Sequence, residues 1–386
     1  MVKKILVLTD IGSDPDDALS ILAMVNVGLP IEAIYTTNAP CLDFRSYIAK
    51  HLINLSGKDI VVAQGESNPI FPLVNPYTFC ENCYVDDCFI DEEESEASND
   101  IIFKELEEVD IIPNGLEDLV LRLEKEKKII FSLAPLTNVG KLLLKYPSLA
   151  INIERMYIMG GSIEGSIEHN FRHDIRAAEV VFESEVPLTI ITKETCEKYR
   201  MLVSYLDNIS TNAGLYVKKM AKGYAAAKIA FELNDKQIYS LLEDLLIKGS
   251  GGIKIVGNSK DIRRKVYESI FLLSNINDPI YGASDTEDFF KKYQQIIDLL
   301  RSSEIDYEGK NILPKVLEMV IPKSLSVADV FIPYCYLYPE RLRVKKGNLI
   351  GGERIGETRF VEGDRCDVVF DIDYDHFDTF IQTYIK

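Results

Sequence analysis

The stretch KILVLTDIGSDPDDALSILAMVNVG, residues 4–28, decides the fold of this chain. It opens with an apolar run, KILVLTD (4–10), and it closes with ALSILAMVNVG (18–28), in which apolar residues recur at helical spacing. Because a short buried run, an acidic turn and a helical pattern follow one another directly, the stretch predicts the first strand and helix of an α/β unit.

The same alternation continues along the chain. IEAIYTTN (31–38) and DIVVAQG (59–65) are predicted strands on either side of the predicted helix FRSYIAKHLINLSG (44–57). Further predicted strands are KIIFSLAP (128–135), ERMYIMGG (154–161), VPLTIIT (186–192), RLRVKKGNLIGG (341–352) and RCDVVFDID (365–373). The alternation predicts an α/β fold with a mostly parallel central sheet and helices on both faces, and such sheets bind ligands at the carboxyl ends of their strands. Asp10 and Asn38 lie at two such ends.

Two segments depart from the alternation, and we expect both to be carried by a single α/β domain over residues 1–386. Residues 66–110 contain the acidic run DEEESEASND (91–100) and are predicted to form a variable loop near the site. Residues 205–320 are rich in Lys, Leu, Glu and Tyr and are predicted to be a mainly helical insertion. The insertion could serve as a lid or an interface, or it could be a passive addition to the fold.

The composition of the chain limits the kinds of molecule that it is expected to bind. The net charge of −18 would repel nucleic acid, and no window approaches the roughly 20 apolar residues of a membrane helix. The lack of a signal-peptide pattern and the seven scattered cysteines favour a cytoplasmic protein that binds a small molecule. Cys80, Cys83 and Cys88 form a CxxC with a third cysteine, but a zinc site needs a fourth ligand, so thiols without a metal are the preferred interpretation.

Four aspartates fall within eight positions of the turn TDIGSDPDDALSI (9–21), namely Asp10, Asp14, Asp16 and Asp17. Like charges this close cost free energy unless a cation or shared protons neutralise them. Helix capping accounts for one or two acidic residues, but it does not account for Asp10 on the strand side. Hard oxygen ligands favour Ca²⁺ or Mg²⁺, so we predict a divalent-cation site here.

The aspartate turn resembles the opening motif of the inosine–uridine-type nucleoside hydrolases, Asp-x-Asp-Pro-Gly-x-Asp-Asp-Ala. Asp10-Ile11-Gly12 is similar to its Asp-Pro-Gly and Asp16-Asp17-Ala18 to its Asp-Asp-Ala, with two extra residues between them and Leu8 in place of the first aspartate. Four further stretches resemble family motifs in the same order, namely Ala134–Asn138, Ile158–Gly161, Glu168–Asn170 with Asp174, and Val327–Asp329 with Tyr338–Glu340.

The resemblance implies an N-ribosyl hydrolase that cleaves a ribonucleoside to base and ribose around a bound Ca²⁺. It implies that the metal is held by Asp10, Asp17, Asp329 and the carbonyl of Thr137, and that Asp10 also takes the proton from the attacking water. It implies ribose binding by Asp16, Asn38, Glu168 and Asn170, with His169 beside them. It further implies a homo-oligomer, either a dimer or a tetramer. Asp14 has no counterpart; a helix cap is the preferred interpretation and an extra ligand the alternative. Asp278 is a rival to Asp329.

The base half of the site departs from the family. Purine-cleaving members carry a histidine just before the late aspartate, where this chain has Ala328. His169, His173 and a tyrosine of 334–338 are candidate replacements as the acid. Alternatively, the base is one that needs no such acid, such as a pyrimidine or a 7-deazapurine.

Three functions therefore remain open. The leading one is a ribonucleoside hydrolase whose base preference is not a standard purine. The second is a hydrolase of another N-ribosyl compound, for instance a 5′-phosphorylated nucleoside. The third is a Ca²⁺-dependent ribose-binding pseudoenzyme.

Overall fold

The computed structural model describes residues 3–12, 14–37, 42–70, 110–218, 220–221 and 324–386. The chain divides into one compact unit of residues 1–217 and 324–386 and a second unit of residues 218–323. Nearly all of the second unit, and most of segment 66–110, lie outside the described residues. The expectations of a helical insertion at 205–320 and a variable loop at 66–110 therefore stay predictions, as does the interpretation of Cys80, Cys83 and Cys88.

A ten-stranded sheet forms the centre of the first unit. Its strands, in chain order, are β1 (Ile5–Thr9), β2 (Ile31–Thr36), β3 (Val61–Gln64), β4 (Lys128–Ser132), β5 (Ile153–Met159), β6 (Glu164–Ile167), β7 (Leu188–Ile191), β10 (Leu342–Gly351), β11 (Glu357–Glu362) and β12 (Cys366–Ile372). Their order across the sheet is β3-β2-β1-β4-β5-β7-β12-β10-β11-β6, and a separate pair, β8 (Met201–Leu202) and β9 (Ser324–Leu325), is antiparallel.

Every pairing from β3 to β12 is parallel. All five residues of β1 are buried, as expected for a strand covered on both faces. The chain moves outward from β1 in one direction through β2 and β3 and in the other through β4 and β5, so β1 and β4 flank the point where strand order reverses. Ligands bind at such a point, just beyond the carboxyl ends of the strands.

Helices connect and cover these strands. In chain order they are α1 (Asp16–Val27), α2 (Leu42–Leu55), α3 (Gly115–Lys125), α4 (Thr137–Lys145), α5 (His169–His173), α6 (Ile175–Glu183), α7 (Lys193–Glu197), α8 (Phe331–Leu337) and α9 (Tyr374–Tyr384). No helix among the described residues has the length and apolar character needed to cross a membrane.

Helix α1 begins two residues before the predicted helix, so Asp16 and Asp17 form its first turn. Its N-cap position is taken by Pro15, whose side chain makes no capping hydrogen bond. The interpretation of Asp14, one residue earlier, as a helix cap stays a prediction. The helix ends at Gly28, whose φ of 79° is a left-handed conformation that glycine adopts without strain.

The α/β fold with a mostly parallel sheet is confirmed, and the antiparallel edge adds to it. Strands β10, β11 and β6 pair antiparallel beyond β12. β6 reads EGSI and β11 reads ETRFVE, and neither has the apolar run that marked the parallel strands. Both strands are only partly buried, which explains why a hydrophobic pattern did not reveal them.

Candidate active site

A cavity of about 340 Å³ opens at the carboxyl edge of the parallel strands. It receives residues that directly follow β1, β4 and β7, together with the segments after β6 and β9. Its lining residues are Asp10, Asp14, Asp16, Asp17, Arg45, Leu133, Met159, Ile167, Glu168, His169, Asn170, Lys193, Cys196, Glu197, Ser326, Ala328 and Asp329. Most of the residues that the sequence singled out therefore meet in one place.

Five aspartates line the cavity, and we call Asp10, Asp14, Asp16, Asp17 and Asp329 the carboxylate cluster. Asp10 directly follows β1, while Asp16 and Asp17 open α1. The hydroxyl of Thr9 donates to the Asp17 carboxylate and fixes it against the end of β1.

Asp329 reaches the cluster from the far end of the sequence. The hydroxyl of Ser20, on α1, donates to the backbone carbonyl of Asp329 at 2.9 Å, which ties the late segment to the first helix. Asp278, the rival to Asp329, lies outside the described residues.

Burial and mutual repulsion raise the pKa of three aspartates of the carboxylate cluster. The pKa of Asp16 is raised well above its ordinary value, chiefly by burial and then by the charges of Asp14 and Asp17. The pKa of Asp17 is raised by burial and by Asp10, and the pKa of Asp329 by burial and by Asp16 and Asp17. Such a set of charges is stable in its ionised form only when a cation compensates it.

The donor set fits a hard divalent cation. Carboxylate oxygens of Asp14, Asp16 and Asp17 lie within 4.8 Å of one another, which is close enough to share one ion. The Asp16 Oδ1 atom is buried, and among the described residues nothing donates a hydrogen bond to it. A buried carboxylate oxygen that lacks a donor is well suited to bind a cation.

The side chains of Glu168 and Asn170 hold neighbouring segments together through hydrogen bonds to backbone groups. The Glu168 carboxylate caps α5, accepting from the backbone N–H groups of Asn170 and Phe171, and it also accepts from Gly161 at 3.0 Å. The Asn170 side-chain amide donates to the carbonyl of Leu133, which follows β4, and to the carbonyl of Met159, which ends β5. Its amide nitrogen is thus used within the protein, and its amide oxygen is the atom that can accept from a ligand hydroxyl.

Thr137 does not reach the cavity. It begins α4, is buried, and its hydroxyl donates to Asp174 Oδ2 at 2.8 Å. Asp174 in turn accepts from the backbone N–H groups of Ile70 and Ala177. The Thr137 side chain therefore supports the scaffold, and the role of its backbone carbonyl as a metal ligand stays a prediction. Leu133, four residues earlier, lines the cavity in its place.

Of the two histidines predicted near the substrate, one lies at the cavity and the other lies in the core. His169 is exposed and lines the cavity, while His173 is largely buried, 6.2 Å from it between ring centroids, and is not among the lining residues. Burial lowers the pKa of His173 to about 4, so it is neutral at pH 7. Asn38 lies outside the described residues.

The tyrosines of 334–338 are not among the described residues that line the cavity. Tyr334 and Tyr338 pack on His376 and Phe380 near α9. Tyr336 packs on Phe131 and Tyr157. These contacts do not support the suggestion that one of them protonates the base, which stays a prediction.

Two cationic residues line the cavity that the sequence patterns did not single out. Arg45 is buried on α2, and its Nη1 donates to the Ile11 carbonyl at 3.1 Å. Burial and the charge of Asp10 raise the pKa of Asp17, and the positive charge of Arg45 offsets a small part of that rise. Lys193 is the first residue of α7 and follows β7 directly after Thr192. Its position after a predicted strand was the available signal, because that is where α/β sheets place ligand contacts.

Comparison with known proteins supports the same family. The chain matches the sequence profile of the inosine-uridine preferring nucleoside hydrolases over residues 5–246. The pyrimidine-specific ribonucleoside hydrolase RihA of Escherichia coli O1:K1 is 28% identical over 211 residues, which are 51% of this chain and 63% of that protein. The matched part thus spans just under two thirds of this relative.

Solved structures share the fold. An inosine-uridine preferring nucleoside hydrolase from Bacillus anthracis aligns with a TM-score of 0.57 at 17% identity, covering 100% of this chain and 99% of that one. A purine-preferring ribonucleoside hydrolase from Gardnerella vaginalis aligns with a TM-score of 0.56 at 14% identity, covering 99% and 98%. At identities this low, the solved structures support only the fold. The sequence profile covers more than half of the chain and therefore supports the family. The chain belongs to the inosine-uridine preferring nucleoside hydrolase family.

Proposed function

We propose that this protein hydrolyses the N-glycosidic bond of a ribonucleoside, with a pyrimidine as the preferred base. The observation that carries the proposal is the carboxylate cluster, five aspartates from two distant parts of the chain at the carboxyl edge of the sheet. Family membership and the pyrimidine specificity of the RihA relative support the substrate class. The methyl group of Ala328 lines the cavity and can donate no hydrogen bond to a purine. This favours a base that can leave without a proton donor at this position.

Cleavage of an N-glycosidic bond builds positive charge on the sugar while water approaches the anomeric carbon. Anionic oxygens around the ribose stabilise that charge, which suits the carboxylate cluster. Asp10, next to β1, is the residue we assign as general base; it takes a proton from the attacking water. Asp16, Glu168 and Asn170 are the residues we assign to the ribose, with Asn38 predicted to join them and His169 beside them.

A cation fits this cluster, and Ca²⁺ is our proposal because all the donors are hard oxygens. We assign it to Asp10, Asp17 and Asp329, with Asp14 and Asp16 close enough to share it. Leu133 is our candidate for the backbone carbonyl, since it lines the cavity and Thr137 does not. A bound Ca²⁺ would compensate part of the negative charge of the cluster and supply Lewis acidity.

The Asp10→Asn substitution tests the proposal. General-base catalysis contributes about 10²–10⁴-fold, so we expect Asp10→Asn to lower the turnover of uridine by about a thousandfold. The measurement is ribose released from uridine, cytidine and inosine, with Ca²⁺ and with chelator. We expect the wild type to favour the two pyrimidine nucleosides and to lose activity on chelation.

Asp59→Asn is the matched control, because Asp59 is an exposed aspartate outside the cavity. It should leave turnover unchanged. Release of ribose from none of the three nucleosides by the wild type would overturn the proposed function, and full activity in Asp10→Asn would overturn the role of Asp10. Preferred cleavage of inosine would overturn the base preference.

A further inference from the structure

Lys193 occupies a position in the cavity that the mechanism so far does not use. It begins α7 at the carboxyl end of β7, and its backbone N–H donates to the Gly161 carbonyl at 3.0 Å. Its side chain is about one-third exposed and lines the cavity. The ammonium group donates to the Ile167 carbonyl at 3.2 Å, in the segment just before Glu168.

Among the described residues, the other contact of this ammonium group is a weak ion pair. Its ion pair with Glu197 is 3.7 Å long, joins successive turns of a short helix, and involves a Glu197 side chain that is 63% exposed. Solvated pairs of this kind contribute little to stability. Since an ammonium has three N–H donors and one is used by Ile167, two can turn toward a ligand in the cavity.

The charge distribution of the reaction requires a donor of this kind. When the bond from sugar to base breaks, its electron pair leaves with the base, so the base acquires negative charge as the sugar acquires positive charge. The carboxylate cluster favours the sugar and disfavours the anionic base. A cation in the same cavity, but outside that cluster, lowers the energy of the departing base.

Among the described residues that line the cavity, Arg45 and Lys193 carry the permanent positive charges. Arg45 is 3% exposed, donates to the Ile11 carbonyl inside the aspartate turn, and acts on the charge of Asp17. It is thus committed to the carboxylate cluster. Lys193 instead shares α7 with Cys196, whose thiol contacts the Ala328 carbonyl at 3.8 Å. Lys193 therefore belongs to the part of the cavity formed by α7, Ile167 and Ala328.

We infer that Lys193 binds the leaving base and stabilises its developing negative charge, and that it thereby determines leaving-group specificity; this inference rests on the proposed hydrolysis. For a pyrimidine nucleoside, the C1′–N1 bond breaks and its electron pair passes to the ring, where the O2 oxygen shares the charge. The water oxygen bonds to C1′ and its proton goes to Asp10. The Lys193 ammonium donates a hydrogen bond to O2 without transferring its proton, and the released base takes a proton from solvent.

Two substrates with different leaving groups separate this role from a structural one. Uridine releases a poorly stabilised anion, whereas p-nitrophenyl β-D-ribofuranoside releases a nitrophenolate that is stable without help. We expect Lys193→Ala to lower kcat/KM for uridine by about a hundredfold, the loss typical for one charge-stabilising donor. The same variant should lower kcat/KM for the nitrophenyl riboside by less than about fivefold, because that leaving group needs no donor.

Lys198→Ala is the matched control. Lys198 follows the same helix, binds Asp371 and the Phe370 carbonyl, and does not line the cavity, so both substrates should be unaffected. Lys193→Arg keeps the charge and should recover part of the uridine activity. Thermal unfolding of each variant reports whether the fold is intact, and the comparison of two substrates within one variant stays valid even where stability falls.

Three outcomes would overturn the inference. An equal loss on both substrates would mean that Lys193 only supports the cavity. An unchanged uridine rate in Lys193→Ala would mean that the residue does not meet the base. A loss confined to uridine 5′-phosphate, with uridine unaffected, would make Lys193 a phosphate ligand. If the wild-type protein cleaves neither substrate, the proposed function fails, and this inference fails with it.

Discussion

At the scale of single residues, the motif residues fall into two groups with different roles. Asp10, Asp16 and Asp329 line the cavity, while Thr137 and Asp174 bind each other in the scaffold. A sequence motif does not separate the two groups, because it gives only residue types and their spacing. Only the direction of a side chain distinguishes them, and that depends on neighbours far away in the chain.

At the same scale, the buried side chain of His173 predicts how the free energy of unfolding depends on pH. Burial lowers the pKa of His173 from an ordinary value of 6.5 to about 4. Below pH 6.5 the unfolded chain therefore takes up a proton at this position that the folded chain refuses until about pH 4. The folded state loses stability across that window and loses nothing from this group above it. We expect urea unfolding to show wild-type protein losing more stability than His173→Gln between pH 6.5 and 4.

The comparison of His173→Gln with wild type removes the opposite trend of the buried carboxylates, because both proteins contain them. His51→Gln, a change at an exposed histidine, is the control and should follow the wild type. Parallel curves for wild type and His173→Gln would contradict the depressed pKa.

At the scale of elements, sequence periodicity predicted the long elements and missed the short ones. The buried strands and α1 have enough apolar residues to show their period. Helix α5 has five residues, fewer than two turns, so its pattern is too short to read. What defines it is the Glu168 carboxylate, which accepts from the first N–H groups of the helix and was predicted from sequence only as a ribose contact. One side chain thus caps the helix and is the proposed contact to the ribose.

Removal of this cap is the element-scale prediction. Glu168→Ala leaves buried N–H groups of Gly161, Asn170 and Phe171 without their acceptor, which should cost about 2 kcal/mol or more in the free energy of unfolding. Glu168→Gln keeps one carbonyl-type acceptor and should cost less. Glu164→Gln, at an exposed glutamate, is the control, and chemical denaturation is the measurement. Equal stability of Glu168→Ala and wild type would refute the capping role.

At the scale of the whole molecule, the parallel strands and β10 could be predicted from sequence, whereas β6 and β11 of the antiparallel edge could not. Parallel strands are covered on both faces and read as apolar runs, whereas β6 and β11 are only partly buried and read as polar. The cation site could be predicted for a related reason. Four charges in one short turn are costly wherever the chain folds, so the sequence alone shows that something must compensate them. The net charge of −18 adds to that cost.

The carboxylate cluster thus predicts how cation binding stabilises the whole fold. The pKa values of Asp16, Asp17 and Asp329 are raised in the folded protein, so their repulsion lowers stability above those pKa values and is relieved as the pH falls. A cation removes the same repulsion but must compete with protons. We expect Ca²⁺ to raise the Tm more at pH 7.5 than at pH 5, with a gain of about 2.7 kcal/mol at a hundredfold excess over Kd. Asp329→Asn should be more stable than wild type in chelator at pH 7.5, because one repelling charge is gone, and should gain less from Ca²⁺. An equal Ca²⁺ effect at both pH values, or a full Ca²⁺ effect in Asp329→Asn, would contradict the assignment of this cluster to a cation.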